Sequence, residues 1–144
     1  MAENQNGNAI MGGCACGLVR YASASAPLLS LFCQCRDCQR DSGTGHSCHV
    51  MLPEPSFELS GTVKRFHSVA DSGNAVFRGF CPECGSSIIY GSAAFPNAVF
   101  VTAGSLDDPS WFKPAMVVYV SSAQPWDHIE AGLRRFEGMP PLPA

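Results

Sequence analysis

Closely spaced cysteines constrain this chain more than any other feature of its sequence. The 144 residues include eight cysteines, and seven of them fall into three groups. The first group is a C-x-C pair, the second a C-x-C-x-x-C array and the third a C-P-x-C-G turn; together they comprise Cys14, Cys16, Cys33, Cys35, Cys38, Cys81 and Cys84. Such groups are typical of metal sites, disulfide frameworks or redox motifs, and these three alternatives predict different proteins.

The rest of the sequence favours metal over the other two uses of the thiols. The polar start, residues 1–8, lacks the basic segment and apolar run of a secretory signal. No stretch approaches the roughly 18 apolar residues that a membrane helix needs. We therefore expect a cytoplasmic protein with no membrane partner, in a compartment where disulfides are rare. A redox C-x-x-C would normally accompany a βαβ pattern, and this sequence has none, so the spacings favour zinc.

Composition and charge predict one ordered domain that does not bind nucleic acid. The chain is 46% hydrophobic and 15% charged, which is apolar enough for a sizeable core. Its formal net charge of −3 provides no electrostatic surface for nucleic acid or anionic membrane. We predict a flexible leader over residues 1–11, a single domain over residues 12–136 and an extended tail over residues 137–144.

Short apolar runs separated by turn signals predict an all-β fold. A single helical turn is expected at residues 37–42, closed by Gly43, and a hairpin turn at residues 71–74. Residues 57–61 are interpreted as a turn, and residues 123–129 as a loop. The predicted strands cover residues 18–22, 28–32, 46–52, 62–67, 75–80, 86–90, 98–102 and 116–120.

Ligand counting divides the thiols into two sites. The C-x-C pair and the C-P-x-C-G turn are two-ligand units that would together close a tetrahedral, structural zinc site. The array Cys33, Cys35 and Cys38 would leave a fourth position open, as in zinc sites that do chemistry. The alternative is a fourth protein ligand from Cys48, His46 or His49. Cys48 is otherwise interpreted as a small buried residue on a strand.

The cysteine groups and their surroundings resemble the glutathione-dependent formaldehyde-activating enzyme (CENP-V/GFA) family. The similar segments are GCACGLVRY from Gly13, CQCRDCQR from Cys33 and FCPECGS from Phe80. The resemblance implies a β-tent of several antiparallel sheets. It also implies a structural zinc on Cys14, Cys16, Cys81 and Cys84, and a second zinc on Cys33, Cys35 and Cys38. The sequence departs from the family pattern at Cys48, where no thiol is expected.

The same resemblance implies a carbon–sulfur lyase that joins formaldehyde and glutathione to S-hydroxymethylglutathione at the second zinc. The expected partners are then a small thiol and an aldehyde. A thiol is a natural fourth ligand for zinc among thiolates, and the metal would hold it as the nucleophilic thiolate. In an alternative order, glutathione displaces one cysteine ligand. Arg36 and Arg40 are candidates for binding a glutathione carboxylate, and Asp41, His46 and His49 for proton transfer.

Two other functions compete with the enzyme hypothesis. The chain would be a non-catalytic carrier of glutathione or another thiol if the already quick thiol–aldehyde addition needs no acceleration. A chromatin role, which the CENP-V relatives suggest, is disfavoured by the acidic balance and the lack of a Lys/Arg tract. The sequence is compatible with a homo-oligomer but does not predict one.

Overall fold

The fold consists of two β-sheets, one short α-helix and four single-turn 3-10 helices over residues 9–142, the part of the chain that the computed structural model describes. The 3-10 helices are Glu54–Ser56, Ala103–Ser105, Pro109–Trp111 and Val120–Ser122. The α-helix is α1 (Arg36–Ser42). The strands are β1 (Ile10–Gly13), β2 (Arg20–Ser23), β3 (Leu29–Cys33), β4 (Ser47–Pro53), β5 (Phe57–Ser60), β6 (Lys64–Val69), β7 (Ala75–Phe80), β8 (Ser87–Ser92), β9 (Ala98–Thr102), β10 (Met116–Val118) and β11 (Arg134–Arg135). The predicted all-β class is confirmed.

The larger sheet is mixed, whereas the smaller one is antiparallel. The small sheet has the order β1-β2-β5, and the large sheet the order β11-β10-β3-β4-β9-β8-β7-β6. Within the large sheet, β10 runs parallel to both β3 and β11, and the other pairs are antiparallel. A parallel pair requires a long connection. Residues 103–115 carry the chain from the end of β9 past β4 and β3, so that β10 starts at the far side of β3 and runs in the same direction.

The central strands of the large sheet bury both of their faces. Val50 and Leu52 on β4 pack with the small sheet, whereas Met51, between them, packs on the opposite face with Phe100 and Leu31. All three β4 residues have no measurable exposure. Burial on both faces explains why the sequence here is a continuous apolar run rather than an alternating one. The second face, which holds Cys33 and Cys38, carries the candidate site.

Several predicted local elements are confirmed. Residues 37–42 lie in α1, which Gly43 ends with a left-handed φ of 76° and a backbone N–H donated to the Gln39 carbonyl. The predicted turn at residues 71–74 joins β6 to β7, and Gly73 there has a φ of 87°. Glycine adopts this conformation at no steric cost, which is why both turns could be located from sequence.

Three predicted elements differ from the structure, and the simplest case is the predicted strand over residues 116–120, which ends at Val118. Residues 1–8 of the predicted leader lie outside the described residues, but Ile10 and Met11 form part of β1, and Ile10 is buried against the core. The predicted turn at residues 57–61 is wrong, because Phe57–Ser60 is strand β5, paired with β2. Its short alternation of half-buried and exposed residues is a strand pattern, and the neighbouring prolines and Gly61 concealed it.

Candidate metal centres and the adjoining cavity

Four thiols from distant parts of the chain meet where the two sheets join. Cys14 and Cys16 lie in the turn between β1 and β2, and Cys81 and Cys84 lie in the turn between β7 and β8. We call these residues the four-thiol group; their Sγ atoms all lie within 4.8 Å of one another. The Sγ atoms of Cys14 and Cys16 are 3.6 Å apart, and those of Cys16 and Cys81 are 3.7 Å apart. Zinc–sulfur bonds of about 2.3 Å at a tetrahedral angle place sulfurs about 3.8 Å apart, so the group fits zinc.

Local backbone geometry aims these thiols inward. The Val19 N–H donates to the Cys14 Sγ at 3.2 Å, and the Glu83 N–H donates to the Cys81 Sγ at 3.4 Å. Gly17 and Gly85, with φ of 84° and 77°, let each turn fold back beside its second cysteine. N–H donors directed at sulfur stabilise thiolates. Both turns are therefore built for thiolate ligands.

Three further thiols meet at the N-terminus of α1. Cys33 is the last residue of β3, and Cys35 caps the helix by accepting a hydrogen bond from the Cys38 N–H at 3.3 Å. The Sγ atoms of Cys33, Cys35 and Cys38, the three-thiol group, also lie within 4.8 Å of one another. Cys33 and Cys38 are buried, and Cys35 is half-buried. The Gln39 amide donates to the Gln34 carbonyl at 2.8 Å and to the Ser122 carbonyl at 3.0 Å, which holds α1 in place.

Crowding of thiols allows some of them to ionise at the expense of others. Hydrogen bonds from Cys33 and Cys35 lower the pKa of Cys38 well below its ordinary value, with His49 adding to the effect. The pKa of Cys33 is raised well above the ordinary value, chiefly by its hydrogen bond with Cys35. In the four-thiol group, hydrogen bonding from Ser86 lowers the pKa of Cys84 to about 5. A cation held among the sulfurs would remove the repulsion that prevents full ionisation.

The candidates for a fourth ligand at the three-thiol group lie in different places. The His49 Nε2 is 3.9 Å from the Cys38 Sγ, but His49 is not within ligand distance of all three thiols. Cys48 alternates with His49 along β4 and packs on the other face of the sheet, where burial raises its pKa to about 11. His46 contacts the Asp127 carboxylate through its Nδ1 at 2.9 Å. Of the three, only His49 is adjacent to the three-thiol group.

A cavity of about 530 Å³ opens beside the three-thiol group. Its walls are largely apolar and aromatic, and the C-terminal segment lies along one side. Tyr119, which follows β10, contributes to the wall with a left-handed φ of 58°, a strained conformation for a bulky residue. The wall residues include Leu31, Val76, Tyr90, Phe95, Phe100, Tyr119, Met139, Pro140 and Pro141. The three-thiol group therefore faces a space large enough for a small organic molecule, and His49 lines it.

The predicted substrate-binding residues Arg36 and Arg40 both line this cavity. Arg36 hydrogen-bonds to the Gln39 side chain, and the Arg40 guanidinium lies 3.9 Å from the Asp37 carboxylate. The Arg40 side chain is 70% exposed, so its pair with Asp37 is a weak surface contact. Asp41, a candidate for proton transfer, accepts a hydrogen bond from the Ser87 hydroxyl at 2.9 Å.

Sequence reasoning missed several residues of the cavity. Arg78 on β7 reaches it from a strand 40 positions along the chain, and its Nη2 lies 3.6 Å from the Cys38 Sγ. The available signal was a single charged residue in the otherwise uncharged strand Ala75–Phe80. Met139, Pro140 and Pro141 gave no such signal, because an extended proline-rich tail is usually exposed.

Comparison with known proteins identifies the class of protein that this fold and site define. Residues 9–122 match the model of the GFA family, described as glutathione-dependent formaldehyde-activating enzyme. The match covers well over half of the chain, and the chain belongs to this family. The predicted family is thereby confirmed. Membership also supports, in general terms, an enzyme-like activity with glutathione and formaldehyde.

A solved structure has the same fold. The crystal structure of a Rhodobacter sphaeroides protein aligns with a TM-score of 0.54 and 16% sequence identity, covering 88% of this chain and 98% of the other. At this identity the likeness concerns the fold alone. None of the helices in the described part of the chain has the length and apolar character that crossing a bilayer requires.

Proposed function

We propose that the chain is a single-domain, zinc-dependent carbon–sulfur lyase that acts on the adduct of an aldehyde with glutathione or a similar thiol. One observation carries the proposal. The three-thiol group lies on the wall of a 530 Å³ cavity and has three ligand atoms, one fewer than a closed zinc site. The four-thiol group has the full number of ligands for a structural site. Family membership supports glutathione and formaldehyde as the reactants.

Each thiol has a distinct part in this proposal. Cys14, Cys16, Cys81 and Cys84 would hold a structural zinc, and Cys33, Cys35 and Cys38 a second zinc. Zinc bound to the three-thiol group would act as a Lewis acid that lowers the pKa of an entering thiol and keeps it as thiolate.

The chain's own residues would position the reactants and shield them from water. In adduct formation the thiol sulfur bonds to the carbonyl carbon of the aldehyde, and the carbon–oxygen π bond breaks. The thiol loses its proton, and the carbonyl oxygen gains one and becomes a hydroxyl. His49 is the candidate for moving that proton, because it lines the cavity and its Nε2 lies beside Cys38. His46 is engaged with Asp127, and Asp41 with Ser87. Arg36 and Arg40, on the cavity wall, would bind a carboxylate of glutathione.

The proposal is tested by titrating glutathione into the zinc-loaded protein by calorimetry, in two buffers of different ionisation enthalpy. We expect binding with release of a proton, because the thiol enters as thiolate, and weaker binding as the pH falls. Cys35→Ala should abolish this binding while the four-thiol group keeps its zinc. Cys48→Ala is the matched control and should bind glutathione like the wild type, because Cys48 packs on the opposite face of the sheet.

Two results would contradict the proposal. Glutathione that binds Cys35→Ala as tightly as the wild type would remove the three-thiol group from the reaction. Tighter binding by Cys48→Ala would show that Cys48 fills the fourth position. Adduct formation is then followed with and without protein at matched thiol and formaldehyde concentrations. An unchanged rate with intact thiol binding would favour the carrier function over the enzyme.

A further inference from the structure

Arg78 is a cation placed beside the three-thiol group without a carboxylate partner. It lies on β7, is half-buried and lines the cavity. Its guanidinium carbon sits 5.0 Å from the centre of the Tyr90 ring, a cation–π contact that fixes its position. Among the described residues, no carboxylate lies within 4.0 Å of it; the ion pairs found there involve Arg20, Arg40 and His46.

Most of the hydrogen-bonding capacity of Arg78 is unused. A guanidinium has five N–H donors. Within the described part of the chain, only Nη2 has a partner, the Cys38 Sγ at 3.6 Å. The remaining donors are open to the cavity, because none of them is among the fully buried polar atoms that lack a partner in the described residues. A ligand acceptor in the cavity would satisfy them.

The carboxylates near Arg78 leave it available for an anionic ligand. Two carboxylates line the cavity, Asp37 and Asp71, but Asp37 lies near Arg40 and neither pairs with Arg78. Asp41, whose charge also acts on Arg78, is hydrogen-bonded to Ser87. The planar fork of arginine binds a carboxylate through two parallel hydrogen bonds, which are charge-assisted and therefore stronger than those between neutral groups.

We propose that Arg78 binds the acidic group of the thiol substrate, so that the site prefers a thiol with a carboxylate a few bonds from its sulfur. The inference rests on the proposed function, in which the thiol is glutathione or a similar thiol, and adds a specificity-determining residue to it. It favours a small mercapto acid over glutathione, whose carboxylates are separated from the thiol-bearing residue by amide bonds. The closeness of Arg78 to the Cys38 Sγ limits the distance between the carboxylate and the sulfur of the substrate. A carboxylate bound to the guanidinium can be only a few bonds away from a sulfur bound at the three-thiol group. A thiol that carries a neutral amide instead of the carboxylate would leave the guanidinium unpaired.

The test compares mercaptopropionate with mercaptopropionamide, two thiols that differ in this one group. Calorimetry on zinc-loaded wild-type protein gives the ratio of their dissociation constants. We expect the acid to bind more tightly than the amide, and Arg78→Gln to reduce that preference by at least about tenfold, as is typical for loss of a charged hydrogen bond. Arg78→Lys should lose part of the preference, because lysine keeps the charge but not the two-pronged contact.

Arg65→Gln is the matched control. Arg65 also lies on a strand over an aromatic ring, 4.4 Å from the centre of Phe77, but it lines a different cavity. It should keep the wild-type preference. Zinc content is measured for every variant, because Arg78 could instead serve only as a counter-ion of the thiols. If Arg78→Gln loses zinc, the preference of Arg78→Lys is compared with that of the wild type instead.

The outcomes separate this inference from the proposed function. If neither thiol binds a wild type that does bind glutathione, the inference fails and the proposed function stands; if glutathione does not bind either, the proposed function fails. Another outcome is that both thiols bind, while wild type and the zinc-loaded Arg78 variants show the same preference for the acid. In that case the three-thiol group binds thiols, but Arg78 does not bind the carboxylate. A wild type with no preference for the acid overturns the inference as well.

Discussion

Replacing Cys81 by serine should destabilise the protein more than replacing Cys35. Cys81 is fully buried and belongs to the four-thiol group, which joins the β1–β2 turn to the β7–β8 turn. Cys16 and Cys81 are 65 positions apart in the sequence. A cross-link that closes a loop of this length restricts the unfolded chain by about 4 kcal/mol at 25 °C, by the loop-entropy relation used for disulfides and applied here to a metal cross-link.

The three-thiol group closes a much shorter loop. Cys33 and Cys38 are five positions apart, and the same relation gives only about 2 kcal/mol for a cross-link between them. A domain of this size loses roughly 3–5 °C of melting temperature for each kcal/mol. We therefore expect Cys81→Ser to lower the melting temperature by roughly 12–20 °C and Cys35→Ser by less than about 10 °C.

Circular dichroism melts of the zinc-loaded variants measure this difference, and a strong chelator provides the second comparison. Cys48→Ser is the control, because it makes the same substitution at a half-buried thiol outside both groups. Excess chelator should bring wild type and Cys81→Ser to similar melting temperatures. Equal losses for Cys81→Ser and Cys35→Ser with metal bound would refute the assignment of the four-thiol group as the long-range cross-link.

The zinc content of the two thiol groups and the C-terminal wall of the cavity can each be tested directly. Protein purified without chelator should contain about two equivalents of zinc by elemental analysis, and limited chelator should remove first the ion held by three thiols; metal-free protein with oxidised Cys14 and Cys16 would contradict this. Deleting residues 139–144 removes Met139, Pro140 and Pro141 from the cavity wall. Calorimetry should then show several-fold weaker thiol binding with zinc content unchanged, and unaltered binding would mean that this segment is not a functional wall.

The thiol groups were predictable because their chemistry is local. Cys33, Cys35 and Cys38 have to lie close together whatever the fold, since six residues contain all three. The same holds for each half of the four-thiol group, whose turns are marked by Gly17 and Gly85. Pairing the two halves needed only ligand counting, since each supplies two thiols. The turn at residues 71–74 and the helix end at Gly43 were equally local, because each depends on glycine.

Long-range geometry accounts for what the sequence did not predict. Alternation along β4 puts His49 beside Cys38 and turns Cys48 away, but the face that each residue occupies depends on how β4 pairs with β3 and β9. A shift of one residue in that pairing would exchange their positions. Sequence reasoning therefore left both residues open as fourth ligands. The pairing of β7 with β8 likewise sets Arg78 opposite Tyr90, in contact with its ring.

The C-terminal segment shows how one parallel strand creates a wall that no local pattern predicts. Because β10 runs parallel to β3, Val118 lies opposite Cys33, and the chain leaves the sheet next to the three-thiol group. Tyr119 then turns with a left-handed backbone and donates its N–H to the Gly138 carbonyl at 3.3 Å. The Ser121 hydroxyl donates to the Glu137 carbonyl at 2.8 Å. These contacts hold the segment beside the cavity, although it lies beyond residues 9–122, which match the family. This part of the wall therefore depends on contacts made outside the matched residues, and deletion of residues 139–144 tests whether it takes part in thiol binding.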